Sequence, residues 1–126
     1  MLSKRKIEGF VPSRNPRKAR SFYEKALGLR VLGLDEFALS LQADGNTIRV
    51  ADVSSVRGFK PAPFTILGWE VPDIEAAVRD LRRRGVAFEH YDGMDQDDLG
   101  IWTAPGGGRV AWFKDPDGNV LSLSEH

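Results

Sequence analysis

Histidine and cysteine, which carry much of the ligand, nucleophile and proton-transfer chemistry near neutral pH, are scarce in this sequence. It has two histidines and no cysteine. The lack of Cys removes thiol catalysis, disulfides and Cys-ligated zinc together. His90 stands in FEHYDG and His126 is the last residue. A lone histidine is more often a surface or hydrogen-bonded residue than a ligand, and a site built from Glu8, His90 and another carboxylate has no support in the spacing. MDQDDLG places Asp95, Asp97 and Asp98 within four residues. That density hints at calcium, but the glycine and closing glutamate of an EF-hand loop are missing. The segment reads instead as a mobile, solvated loop, and Gly106-Gly107-Gly108 adds freedom beside it. Arg79, Arg82, Arg83 and Arg84 gather on one helical segment. Their plain reading is a solvated surface near a helix C-terminus, where cations are favoured; the alternative is an anion site.

Bulk properties narrow the classes. A chain of 126 residues suffices for one modest core. Apolar residues are 41% and charged residues 29%, as in ordinary globular proteins. Eighteen basic and eighteen acidic residues give zero formal charge. This offers no electrostatic case for nucleic acid. The start, MLSKRKIEGF, is charged and has no apolar h-region, so no signal peptide is expected. No apolar run nears the ~20 residues of a spanning helix. A cytoplasmic protein with no membrane partner is the expectation.

The elements that must position any site follow from periodicity. RKIEGFVPS, 5–13, reads as a strand. Asn15-Pro16 opens a helix, with Asn as N-cap and Pro at its first position. Ala19, Phe22, Tyr23, Ala26 and Leu27 follow at helical spacing, and Gly28 stops the helix. Strands are expected over 29–34, 37–41 and 47–53, the last two joined by a turn at Asp44-Gly45-Asn46. Residues 54–63, with Gly58 and two prolines, read as a linker. The order then recurs. FTILGWEV, 64–71, is a strand; Asp73 caps a helix with Ile74, Ala77, Val78 and Leu81 as its apolar stripe, and Gly85 ends it. Strands follow over 86–91, within 100–113, and at 120–124 after Asp117-Gly118-Asn119.

The chain therefore contains a β-α-β-β-β unit twice: module one over 5–53 and module two over 64–126. The expected fold class is α+β, two tandem βαβββ modules whose curled mixed sheets enclose a cup-shaped cleft, in one domain. Phe22-Tyr23 with Leu27-Gly28, VPDIEAAVRDLRRRG, and AWFKDPDGNVLSL resemble the vicinal oxygen chelate superfamily: glyoxalases, bleomycin-resistance proteins and extradiol dioxygenases. The resemblance covers essentially the whole chain. It implies a cup-shaped site, a divalent metal in the enzymes, and a homodimer.

The same resemblance points to four metal-ligand positions, on the first and last strand of each module. They fall here on Glu8, Arg49, Ile66 and Ser122. One of the four is a plausible ligand. Arg cannot coordinate a cation and Ile has no lone pair. Shifting by one residue turns the side chain to the other face. The expectation is therefore no metal cofactor and, from the zero charge balance, no nucleic-acid partner. The chain then binds a small amphipathic molecule through Glu8, Phe10, Arg49, Ile66, Trp102 and Ser122. A metal-dependent lyase, isomerase or dioxygenase with a non-standard site is the alternative. Glu8 and Arg49 could form a partly buried ion pair, anchor a ligand's polar group, or set Glu8 up as a general base. Alternation puts Phe10 on the face of Glu8 and Trp69 on the opposite face, toward the helix. Most of Phe10, Trp69, Trp102, Trp112 and Phe113 should be core, with Trp102, beside the acidic loop, lining the pocket.

Overall fold

A computed structural model describes residues 1–126. The chain divides into two compact units, 1–61 and 62–126, with the boundary inside the expected linker. In the first unit a short 3-10 turn, Leu2–Lys4, precedes β1 (Glu8–Ser13) and α1 (Pro16–Ser21). The strands β2 (Arg30–Leu34), β3 (Ala38–Ala43) and β4 (Asn46–Asp52) complete it. The second unit holds β5 (Thr65–Glu70), α2 (Ile74–Arg83), β6 (Trp102–Thr103), β7 (Arg109–Lys114) and β8 (Val120–Glu125). Each unit is a four-stranded mixed sheet, ordered β1-β4-β3-β2 and β5-β8-β7-β6. The first strand pairs parallel with the last, and the other pairings are antiparallel. No helix is long and apolar enough to cross a membrane.

The caps act as their residue types predict. The Asn15 side chain accepts a hydrogen bond from the Lys18 amide at 3.2 Å, and Asp73 accepts from Ala76 at 3.1 Å. The first helix differs from expectation beyond Ser21. Residues Phe22–Ala26 widen into a π-helical turn, with the Leu27 amide donating to the Phe22 carbonyl.

Strand alternation divides each sheet into a core face and an open face. In module one Val11, Leu39, Leu41, Ile48 and Val50 are buried, together with Ala19 and Tyr23 of the helical segment. In module two Ala111, Phe113, Leu121 and Leu123 are buried with Ile74 and Val78 of α2. Trp69 stacks on Phe113 with ring centroids 6.4 Å apart, so it lies on the helix side as alternation requires. Each fully buried Val, Leu, Ile or Phe contributes roughly 1.5–3 kcal/mol.

The edge of module two is the main departure from the sequence reading. No continuous strand forms over 86–91. Its contribution is a single bridge, Phe88 with Phe113, and the Glu89 amide donating to the Trp112 carbonyl at 2.8 Å. The other half of the β7 edge pairs with Trp102–Thr103. Two short segments thus share one edge, which local alternation in 86–91 could not reveal.

Charge is also unevenly divided. Residues 1–61 carry twelve basic and six acidic side chains, and residues 62–126 carry six and twelve. The zero total hides two oppositely charged halves.

The DPDGN hairpin is built around Asp115. Its carboxylate accepts from the Asp117 and Asn119 amides and the Asn119 side chain, each at 2.9 Å. Gly118 adopts φ 86°, which favours glycine. Asp115 and Asn119 are buried. Asp115→Ala leaves buried donors without this acceptor, and urea denaturation should show a loss of about 1–3 kcal/mol.

The helix side of module two is tied by charge. Arg109 reaches Glu125 at 3.0 Å and Glu75 at 3.1 Å, and Glu125 also accepts from the Ile74 amide at the start of α2. The Ile74 bond first, then Arg109, lowers the Glu125 carboxyl below the usual range. A lowered folded-state pKa gives stability that is present above the unfolded value and lost as pH falls through the folded one. Melting temperature should therefore fall on acidification below the ordinary glutamate range. Glu125→Gln should flatten that part of the profile and lower the plateau at neutral pH.

Candidate functional site

The open face of module one is set by β4. Arg49 lies at the middle of the sheet, in register with Phe10 on β1 and Ser40 on β3. Ser40 in turn pairs with Gly33 on β2, just past an irregularity between Val31 and Gly33. The adjacent row is Glu8, Thr47, Gln42 and Arg30. Glu8 is thus diagonal to Arg49 on the neighbouring strand, about 7–8 Å between such positions. Neighbouring strands and a shared face agree with the sequence reading. No hydrogen bond or ion pair joins the two side chains. Glu8 is exposed and Arg49 half-buried. Phe10 is 62% exposed, so its ring belongs to the open surface rather than the core.

The open face of module two is aromatic. Ser122 on β8 is in register with Gly68 on β5 and with Trp112 on β7. Trp112 meets Tyr91 edge-on at 5.7 Å and Trp102 in a tilted arrangement at 6.2 Å. Such edge and offset geometries suit the ring quadrupoles. The next row carries Glu70, Ser124, Val110 and Trp102. Ser122 leans over Gly68: a Cβ at position 68 would stand 2.6 Å from the Ser122 Oγ. Glycine there is what leaves room for the serine hydroxyl. Burial first, then Glu89, raises the Tyr91 hydroxyl above its usual value, while Lys114 acts the other way. Tyr91 therefore stays protonated at neutral pH and can donate a hydrogen bond. Lys114 and Glu89 pair at 3.2 Å beside these rings.

The remaining sequence candidates fall as follows. Ile66 is the extra residue of a bulge between Thr65 and Leu67, so its direction does not follow the alternation of the strand. Trp102 is half-buried and joined to Trp112. The sequence places Trp112 only within an aromatic set expected to be mostly core, and Tyr91 only near that set; neither is assigned to the site. The signal existed: Lys114 pairs with Val120 across the turn, so counting back places Trp112 opposite Ser122.

The acidic loop is more constrained than its composition suggests. Gln96 donates to the Glu89 and Gly100 carbonyls and accepts from the Tyr91 amide. One Asp97 oxygen accepts from the Leu99 and Ile101 amides, each at 2.9 Å. Leu99 and Ile101 are buried. Asp97 is thus a turn residue. In 104–108 the Gly107 amide bonds to Ala104, and Ala104 to Gly108.

A divalent cation is implied by the resemblance, and the donor set does not fit one. Module one offers Glu8 and Arg49 at the corresponding positions, and module two Ile66 and Ser122. Neither module by itself, one with a single carboxylate and the other with a single hydroxyl, supplies the oxygen or imidazole set such cations take. No group of three or more His, Asp or Glu side chains elsewhere is arranged to hold a metal ion.

Two βαβββ modules, each with an open face opposite its helix, define the class. Residues 9–123 match the Glyoxalase/Bleomycin resistance protein/Dioxygenase superfamily, and the chain belongs to it. No curated protein matches the sequence. Solved structures with the same fold include a superfamily member from Sphaerobacter thermophilus, 22% identical over 100% of both chains, with a TM-score of 0.75. The antibiotic-binding protein TnmS3 from Streptomyces is 24% identical over 99% of this chain and 98% of its own, TM-score 0.70. Lactoylglutathione lyase from Agrobacterium tumefaciens is 15% identical over 97% and 93%, TM-score 0.71. At these identities the likeness is one of fold.

Hydrogen exchange should separate the two loop regions. The Leu99 and Ile101 amides, held by Asp97, should exchange slowly, and the Gly106 amide, in the exposed glycine turn, quickly. Asp97→Ala should speed exchange at Leu99 and Ile101 and leave 106 unchanged.

Proposed function

We propose that this chain binds a small amphipathic molecule on the open faces of its sheets, without a metal ion. It holds the molecule rather than transforming it. The observation that carries this reading is the Tyr91–Trp112–Trp102 set beside Ser122. Ser122 stands where the resemblance implies a metal-binding carboxylate. Three rings around it make an apolar, stackable surface, edged by Glu70, Ser124 and the Tyr91 hydroxyl for orientation. Few polar groups on an aromatic surface are what small-molecule sites share. TnmS3, with the same fold, is an antibiotic-binding protein. The working unit in this proposal is a homodimer.

The test is a thermal-shift screen of planar amphipathic compounds, beginning with bleomycin-like and aromatic cationic ones, with and without EDTA. A stabilising compound should act equally in both, and should quench tryptophan emission. Trp112→Leu should weaken its binding by roughly 5- to 150-fold, since one base-sized stack contributes about 1–3 kcal/mol. The contrary result is about one Ni, Zn, Mn or Fe(II) per chain retained after desalting, with stabilisation abolished by EDTA. That outcome would favour a metal-dependent lyase, isomerase or dioxygenase.

A further inference from the structure

Two arginines in the chain are half-buried, Arg49 and Arg109. Arg109 is matched by Glu75 and Glu125. The Arg49 side chain makes no hydrogen bond or ion pair within the chain. With its stem packed on the sheet and no partner within the chain, the guanidinium is free to take an anion from outside. The surrounding module has twice as many basic as acidic side chains, which adds to the positive potential there. Asp35 lies close enough for Arg49 to help lower its carboxyl, but that carboxylate is already bonded to the Phe37 and Ala38 amides.

We infer that Arg49 is the anchor of an anion subsite on the open face of module one, and that its ligand is a monocarboxylate carried on an aromatic or branched apolar body. The guanidinium fork offers a carboxylate two parallel hydrogen bonds. Phe10, in register on one side and largely exposed, gives the apolar body a surface. Ser40, in register on the other side, supplies a hydroxyl donor, and Gln42 and Thr47 supply more in the next row. Glu8, on the diagonal, selects for a single negative charge, because its own charge opposes a dianion such as phosphate. A fixed cation thus occupies a position for which the resemblance implies a metal ligand. This inference rests on the binding function proposed above and names the ligand class for one of its faces.

The experiment compares 2-naphthoate with 2-naphthamide, which share a ring system and differ in charge. Both are titrated by calorimetry into the wild-type protein and into Arg49→Gln and Glu8→Gln, after circular dichroism confirms that each variant is folded. Wild-type protein should prefer the acid by about tenfold, the scale of one charge-assisted bond. Arg49→Gln should bind acid and amide equally. Glu8→Gln should bind the acid more tightly than wild type does, and Arg49→Lys should keep part of the preference. Equal affinities for acid and amide in the wild type, or a preference that survives Arg49→Gln, overturn the anion subsite and leave the wider binding function standing. Absence of binding by either probe overturns this inference, while the thermal-shift screen decides the wider one.

Discussion

In each module the last strand lies between the first and the third, and its register governs everything else. β4 and β8 each pair parallel on one side and antiparallel on the other. A slip of one residue would exchange every side chain between the core and the open face. Ile48 and Val50 would then face water, and Arg49 would enter the apolar layer against α1. The tight turns before these strands hold that register. Asp44 at φ 47° and Gly45 at φ 82° close the first, and Asp115 organises the second. The chemistry on the surface is thus fixed by two short turns that do no chemistry themselves.

The parts of the fold with local causes were legible in the sequence. Asn15-Pro16 and Asp73 opened the helices where expected, and both modules, the linker and the turns followed from periodicity and turn residues. Side-chain faces were legible wherever alternation was clean, as for Arg49, Glu8 and Trp69. The illegible parts depend on partners distant in sequence. The 86–91 strand shrank because β7 divides its edge between two segments. Gln96 and Asp97 looked like loop polarity until their backbone partners were known. Trp112 looked like core because its neighbours Ala111 and Phe113 are. Ile66 lost its assigned face to a bulge that no local pattern announced.

The two open faces have diverged on a common frame. One presents the Arg49 guanidinium beside an exposed phenylalanine, with Arg30 at the far strand, in a basic module. The other presents a cluster of edge-on and tilted rings with hydroxyls in an acidic one. Both occupy the same place relative to their helix and closing turn, so the frame constrains position while leaving composition free. This is why the family is readable from the turns and helix starts, and why function must be argued from the faces.

The shared edge of β7 has one more consequence. A sheet edge with a long run of free amides and carbonyls invites a foreign strand to add to it, and so invites aggregation. Here the β7 side ends in a two-residue strand and a single bridge, with the Gln96–Asp97 turn between them in sequence. Neither is long enough to template an added strand. The irregularity that hid this region from pattern reading also keeps that side of the sheet from becoming adhesive.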